Sequence, residues 1–288
     1  MTGTLDSTPP DDPRPDAGPD AGPDAGPSRP ASKPDRAAAA RLLADLAAHG
    51  SGVGLAAGGD APMPAPLVPL EQMALARGRV HELTGPARRT LAAAAAGVAQ
   101  AEGPVLWLRP GWRAEGLCPQ GLAALMPDPG ALIVANCARA PDLLWGMEEA
   151  LRAGCVALVV SEITEMPDLR QVRRLHLAAA DGVMRNRLAG RVQPAPLGLL
   201  LAHETADARI AGVESRWALH PLPPRPPAPF ETLRPGDDGV RWRLDRQLMR
   251  GAPPKDWEVR FERPRIADRD GQAPDGQAPD GQGVALLA

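Results

Sequence analysis

The stretch that decides the fold is ARGRVHELTGPARRTLAAAAAGVAQAEGPVLWL, residues 76–108. The sequence RVHELT at 79–84 has the residue pattern of a strand, and a Gly-Pro turn follows it. The alanine-rich segment 88–101 predicts a helix, and the apolar run at 104–108 predicts a second strand. A strand, a glycine-containing turn, a helix and another strand, in this order, are typical of a unit that binds nucleotide phosphates.

The same alternation continues along the chain. Strand patterns recur at 131–136, 155–160 and 197–202, and helical patterns at 119–126, 141–153 and 168–180. Nearly continuous apolar strands separated by helices are typical of a parallel sheet that is buried on both faces. We therefore predict an α/β core over 67–222, with a mostly parallel sheet covered by helices.

The turn after the first strand lacks the residues that a phosphate-binding loop uses. In the pattern GxxxxGK[ST], backbone amides and the lysine contact phosphates, and the hydroxyl group binds magnesium. Counted from Gly85 without a gap, the last three positions are Thr90, Leu91 and Ala92. Without the lysine and the hydroxyl, the main charge complement and a metal ligand are both missing. We expect no ATP hydrolysis and no bound cofactor.

Two arginines leave a weaker phosphate site open as an alternative. Arg88 and Arg89 stand close to the predicted helix N-terminus, where an anion can dock. Such a degenerate phosphate loop would consist of Gly85, Arg88, Arg89 and Thr90. The simpler interpretation is that the turn only starts a packed helix.

Two further positions lack the carboxylates of an ATPase. A metal-orienting aspartate belongs at the end of the strand CVALVV, where Ser161 and Glu162 come next. Glu162 lies one position after the place where that aspartate belongs. It would hold magnesium through a water molecule, or it is a solvated glutamate at the strand end, which is the simpler interpretation. A catalytic carboxylate often follows the strand after the loop helix, and Arg109, Pro110 and Gly111 stand there instead.

At the level of families, LARGRVHELTGP is similar to the entry of the RecA core, and LLWGMEEALRAGCVALVVSEI to the helix and strand ahead of its metal-binding aspartate. More closely, the chain resembles the ImuA family, the RecA-like proteins of bacterial mutasome operons. This resemblance covers roughly residues 70–262. It is carried by LARGRVHEL, DLLWGMEEALRAGCVALVVSE, RRLHLAAADGV, ESRWALHPLP and WRLDRQLMRGAPPKDWEVRF.

The resemblance implies a RecA-like core and a role in SOS-induced, error-prone translesion synthesis. It implies two partners: an ImuB-like Y-family polymerase homologue and, through it, an error-prone C-family DNA polymerase. Because the ATPase residues are missing, we predict a non-catalytic adaptor. Two alternatives stay open. One is a nucleotide-dependent, DNA-binding ATPase in which Arg88 or Arg89 imitates the lysine; the other is a cell-division inhibitor like SulA, to which the family is distantly similar.

A run of arginines follows the predicted strand at 155–160. Those on the helix at 168–180 face away from its apolar stripe, and the others fall in a predicted loop. Such arginines either contact DNA phosphates or form a solvated helix face. The candidate DNA contacts are Arg170, Arg173, Arg174, Arg185, Arg187 and Arg191.

Both ends of the chain have low complexity. Residues 16–27 repeat Asp-Ala-Gly-Pro, and a similar repeat lies near the other end. Such segments cannot bury enough apolar area to offset the entropy of ordering them. We predict disordered tails over 1–34 and 264–288, and a short helix plus a flexible linker over 35–66.

The region after the core predicts a separate hairpin. A Pro-rich linker occupies 223–239, and the alternating pattern over 240–263 is typical of two antiparallel strands. Its large side chains either pack on the edge of the core or form a patch for a protein partner. The candidate partner contacts are Trp242, Leu244, Arg246, Trp257 and Phe261.

The composition sets the outer limits of these hypotheses. The net charge is −3, so no global charge attracts nucleic acid or membrane. The three cysteines lie far apart without a CxxC pair, which predicts no structural metal site and a reducing compartment. No apolar run approaches the roughly 20 residues that span a bilayer. We therefore predict a cytoplasmic protein without membrane contact.

Overall fold

The computed structural model describes four ranges of the chain: 64–191, 194–202, 209–223 and 240–261. The predicted tails at 1–34 and 264–288 lie outside these residues. So do the predicted helix at 35–49 and the Pro-rich segment 224–239.

Strands and helices alternate through most of the described chain. The strands are β1 (Leu67–Leu70), β2 (Met73–Leu75), β3 (Val80–Thr84), β4 (Val105–Pro110), β5 (Ile133–Cys137), β6 (Leu158–Glu162), β7 (Leu197–Leu201), β8 (Ser215–Pro221), β9 (Arg241–Met249) and β10 (Lys255–Arg260). The helices are α1 (Arg88–Ala99), α2 (Pro119–Ala123), α3 (Ala140–Ala153) and α4 (Leu169–Leu188), with a 3-10 turn at Pro129–Ala131. Among the helices described, none is both long and apolar enough to cross a membrane.

Eight strands form one sheet in the order β10-β9-β8-β3-β7-β6-β4-β5. The pairs from β8 to β5 are parallel, and β9 and β10 extend the sheet in antiparallel orientation. The remaining two strands, β1 and β2, pair with each other in a small antiparallel sheet. The predicted α/β class and mostly parallel sheet are confirmed.

The central strands are buried on both faces of the sheet. Along β7, Leu197, Leu199 and Leu201 join one apolar cluster, whereas Leu200 joins the other. The first cluster includes residues of α1 and of the β1–β2 sheet, and the second includes residues of α3 and α4. Successive side chains of a strand point to opposite faces, so a strand without polar residues supplies leucines to both clusters.

The helix α4 continues to Leu188, beyond the predicted end at residue 180. The sequence Asp181-Gly182 is typical of a turn, but here the glycine allows α3 and α4 to approach each other closely. A Cβ atom at Gly182 would lie 2.1 Å from the Leu151 carbonyl oxygen of α3. The prediction that Arg185 lies in a loop is therefore wrong, because this residue is in the last turns of α4.

The strand β8 was not predicted, although it lies next to β3 in the middle of the sheet. Its first two residues, Ser215 and Arg216, are polar and interrupt the apolar pattern, yet both are buried. They are buried because each meets a polar partner on β3, as described below. Buried polar side chains with partners are compatible with a central strand but invisible to a search for apolar runs.

Candidate functional site

The β3–α1 turn, where a phosphate loop would lie, is short and is packed against β8. Gly85 has a φ of 83°, and a Cβ atom there would lie 2.7 Å from the Leu219 carbonyl oxygen. The Ala87 amide donates a hydrogen bond to the same oxygen at 3.1 Å, and the Arg88 amide donates to the Gly85 carbonyl at 3.2 Å. Pro86 has no amide hydrogen. The amides that Ala87 and Arg88 could offer a phosphate are therefore already bonded within the protein.

The guanidinium of Arg89, in the first turn of α1, contacts the carboxylate at the end of β6. Its Nε donates to Oε1 of Glu162 at 3.0 Å, and its Nη2 donates to Oε2 at 2.7 Å. The indole Nε1 of Trp107, on β4, also donates to Oε1 at 2.9 Å. Two parallel hydrogen bonds from arginine to carboxylate are among the stronger polar contacts in proteins. We call these three residues the Arg89–Glu162–Trp107 cluster.

This geometry corrects the interpretation of Glu162 as a solvated strand-end residue. Glu162 is only 8% exposed, and both of its carboxylate oxygens accept hydrogen bonds. The arginine that was a candidate for anion binding supplies the positive charge that this buried carboxylate requires. A second carboxylate, that of Glu115, lies 3.8 Å from Nη1 of Arg89. The guanidinium of Arg89 thus contacts two carboxylates of the protein.

The four residues predicted for a degenerate phosphate loop do lie together at the β3–α1 turn. Arg88 donates from Nη1 to the Gly85 carbonyl oxygen at 3.3 Å, so its side chain folds back on the turn. Thr90 is half-buried in the first turn of α1. Both Arg88 and Arg89 therefore contact oxygen atoms of the protein itself.

A hydrogen-bonded chain links β3 to β8 on one face of the sheet. Nε2 of His81 lies 3.1 Å from the Ala76 carbonyl, Nδ1 lies 2.7 Å from Oγ of Ser215, and the Trp217 indole donates to the same Oγ at 2.9 Å. Because a carbonyl can only accept, Nε2 carries the proton and Nδ1 accepts from the serine hydroxyl. Burial lowers the pKa of His81 to about 4. The chain is complete with a neutral imidazole.

On the other face of the same two strands, Glu82 and Arg216 form a buried ion pair. Their side chains are 0% and 7% exposed, and Nε of Arg216 lies 2.5 Å from Oε2 of Glu82. Arg216 also donates from Nη2 to the Ile210 carbonyl at 2.8 Å. Burial raises the pKa of Glu82 against the opposing effect of the arginine. Sequence reasoning missed this pair, since its two residues are adjacent only through β8.

The six arginines proposed as DNA contacts lie on or just after α4. Arg170, Arg173 and Arg185 are exposed, whereas Arg187 and Arg191 are half-buried. Arg174 donates from Nη2 to Oε2 of Glu148 at 2.6 Å, so part of its charge is balanced within the protein. Arg187, like Arg185, belongs to the last turn of α4 rather than to a loop. Five of the six arginines therefore lie on one helix, and Arg191 follows it.

The hairpin residues proposed as partner contacts mostly pack on the core. Leu244 is fully buried, which contradicts its assignment to an exposed patch. The ring of Trp257 stacks on Trp217 with centroids 6.1 Å apart, and Trp242 meets Phe261 edge-on at 5.9 Å.

The fifth proposed contact, Arg246, also belongs to this packing. Its guanidinium carbon lies 5.2 Å from the centroid of the Trp257 ring. The hairpin is an extension of the central sheet rather than a separate unit, because β9 pairs with β8 along most of its length. The alternative that its large side chains pack on the core edge agrees with these contacts.

No known family model matches the chain, and no curated protein matches it significantly.

Proposed function

We propose that this protein is a non-catalytic adaptor with a RecA-like core, acting in the DNA-damage-induced mutasome of the bacterial cytoplasm. The observation that carries the non-catalytic part is the Arg89–Glu162–Trp107 cluster, in which the carboxylate of Glu162 accepts from both other side chains. The mutasome part rests on the resemblance to the ImuA family. The mostly parallel sheet with helices on both faces is compatible with a RecA-like core.

Nucleotide hydrolysis would require the cluster to come apart. A phosphate at the α1 N-terminus would compete with Glu162 for Arg89, and magnesium would compete with Arg89 for Glu162. The first exchange would leave the largely buried carboxylate of Glu162 without its charged partner, which costs on the order of a few kcal/mol. The second would leave the guanidinium of Arg89, which is 30% exposed, without its partner. The turn does not compensate for this cost with hydrogen bonds to phosphate from Ala87 and Arg88, because the amides of these two residues already donate to carbonyl oxygens.

A protein without a reaction of its own acts through contacts with other proteins. In the proposed role, the chain binds an ImuB-like Y-family polymerase homologue and, through it, an error-prone C-family DNA polymerase. It thereby supports translesion DNA synthesis without consuming nucleotide.

Affinity purification from DNA-damaged cells of the source organism tests this role. We expect the tagged chain to retain the ImuB-like protein, and an Arg88→Ala/Arg89→Ala variant that is still folded to retain it equally well. A tagged unrelated protein is the control for nonspecific retention. A SulA-like inhibitor would instead bind the tubulin-like protein of bacterial cell division. Retention of that protein would contradict the proposal and support the SulA-like alternative. Retention that requires ATP would also contradict it.

A further inference from the structure

The side of α4 that faces solvent carries a line of large apolar side chains. Leu177, Met184 and Leu188 are 59%, 53% and 80% exposed. At about 100° per residue, the three lie within about 40° of one another around the helix axis. The buried side of α4, which includes Val172 and Leu175, lies opposite to them. Single exposed apolar residues are common on protein surfaces, but three in line on one helix indicate a contact surface.

Arginines border this line along the helix. Arg170 and Arg173 lie on the two turns before Leu177, and Arg185 lies beside Met184. Within the described ranges, these three guanidinium groups form no ion pair with a carboxylate. Asp181 is also exposed beside this line, about 40° from Leu177 around the helix axis, so the border carries three arginines against one carboxylate and is net positive. We call the surface formed by Arg170, Arg173, Leu177, Met184, Arg185 and Leu188 the α4 outer face.

We propose that the α4 outer face binds an acidic amphipathic helix of a partner protein. Leucine-like residues of that helix would cover Leu177, Met184 and Leu188, while its carboxylates pair with Arg170, Arg173 and Arg185. Helices that dock in this way present apolar anchors three, four and seven residues apart. The spacing of seven and four residues between the three apolar side chains of α4 matches that pattern. The inference rests on the proposed adaptor function, for which it supplies a contact surface.

An acidic helix fits this surface better than DNA does. Both offer negative charge to the arginines, but a phosphate backbone offers nothing to the apolar line between them. The α4 outer face has no aromatic side chain on which a base could stack. DNA binding would leave Leu177, Met184 and Leu188 in water or against phosphates, whereas an amphipathic helix would bury them.

Fluorescence anisotropy with the full chain tests the surface without knowledge of the natural partner. The probe is a labelled synthetic peptide of about 18 residues, long enough to form a helix on binding, with leucines on one face and glutamates on the other. We expect saturable binding that weakens at least about tenfold in the Leu177→Ser/Met184→Ser variant and weakens with added salt. Leu248→Ser, which changes another exposed apolar side chain, is the matched control and should bind like the wild type.

Two other probes decide between the possible occupants. A peptide with lysine in place of glutamate should not bind, and a labelled single-stranded oligothymidine should bind more weakly than the acidic peptide. The proposal is overturned if the Leu177→Ser/Met184→Ser variant, with an unchanged melting temperature, binds the acidic peptide as the wild type does. It is also overturned if oligothymidine binds more tightly than the acidic peptide and the Leu177→Ser/Met184→Ser substitutions do not weaken its binding.

The outcome for the natural complex is separate from the outcome for the surface. If the Leu177→Ser/Met184→Ser variant still co-purifies with the ImuB-like protein, the adaptor function stands and the α4 outer face is not its contact surface. If the acidic peptide binds through α4 but no mutasome protein co-purifies, the surface is supported and the mutasome assignment fails.

Discussion

The side chains of Arg89 and Glu162 form a two-point ion pair between the first turn of α1 and the end of β6, with contacts of 3.0 and 2.7 Å. The two residues are 73 positions apart in the sequence. The pair lies beside the turn that a nucleotide-binding protein uses for phosphate. A bound phosphate would need the positive charge of Arg89, and a metal ion would need the negative charge of Glu162, but the two side chains already bind each other.

Breaking this pair should destabilise the fold. We expect Arg89→Met to lower the free energy of unfolding by about 1–3 kcal/mol, because a hydrogen-bonded charge is lost and Glu162 stays buried. Urea denaturation followed by circular dichroism measures the change. Arg170→Met, at an exposed arginine, is the control and should be close to neutral. Equal midpoints for Arg89→Met and the wild type would show that the pair does not form in solution.

The buried ion pair of Glu82 and Arg216 makes a second prediction. Glu82→Ala should destabilise the protein by about 3–5 kcal/mol, because it leaves the arginine charge buried without its partner. Replacing both residues, as Glu82→Leu/Arg216→Met, should recover most of that loss. The solvent-exposed pair of Arg241 and Glu258 provides the control, where Glu258→Ala should destabilise the protein much less than Glu82→Ala does. A double variant no more stable than Glu82→Ala would contradict this account.

His81 should make stability depend on pH. Its pKa is about 4 in the folded protein, and its ordinary value is 6.5. Between these values the unfolded chain binds a proton that the folded chain does not, so the stabilisation is complete above pH 6.5 and is lost as the pH falls towards 4. The expected loss is about 2 kcal/mol at pH 5. Urea denaturation at pH 7.5 and pH 5 should show a smaller difference for His81→Gln than for the wild type, and an unchanged difference would rule out this role.

Replacing a glycine by alanine should have opposite effects on stability in α3 and in α4. Gly182→Ala should destabilise the protein by about 1–3 kcal/mol, because its Cβ would meet the Leu151 carbonyl oxygen of α3 at 2.1 Å. Gly146→Ala, on α3, should be neutral or stabilising by up to about 1 kcal/mol, since its Cβ would lie 3.4 Å from a leucine methyl group and alanine favours the helix. Thermal unfolding of both variants makes the comparison. Similar melting temperatures would contradict the close approach of α3 and α4.

Local patterns predicted the parts of the fold that local physics determines. The strands β4, β6 and β7 contain apolar runs, and these three strands and β3 each lie within a few positions of the predicted range. The predictions from local sequence failed where a tertiary contact outweighed the local preference of a residue. Gly182 permits helix packing instead of ending the helix, and Arg216 is buried in β8 because Glu82 neutralises it.

The candidate site was predicted only in part, for a similar reason. Arg89 stood out because it follows a Gly-Pro turn at a helix start, and Glu162 because it follows an apolar strand. Nothing in the sequence indicates that these two side chains meet, since the strand order brings them together. Trp107 gave no polar signal at all, because in an apolar strand a tryptophan predicts core packing.

The measurement that tests the central claim most directly is titration of the full chain with ATP and magnesium, by calorimetry and by phosphate release, with and without single-stranded DNA. We predict no saturable binding up to about 1 mM nucleotide and no phosphate release above background, because Arg89 and Glu162 neutralise each other. ATP binding in the micromolar range, with hydrolysis abolished by Arg88→Ala/Arg89→Ala in a variant that remains folded, would contradict the account.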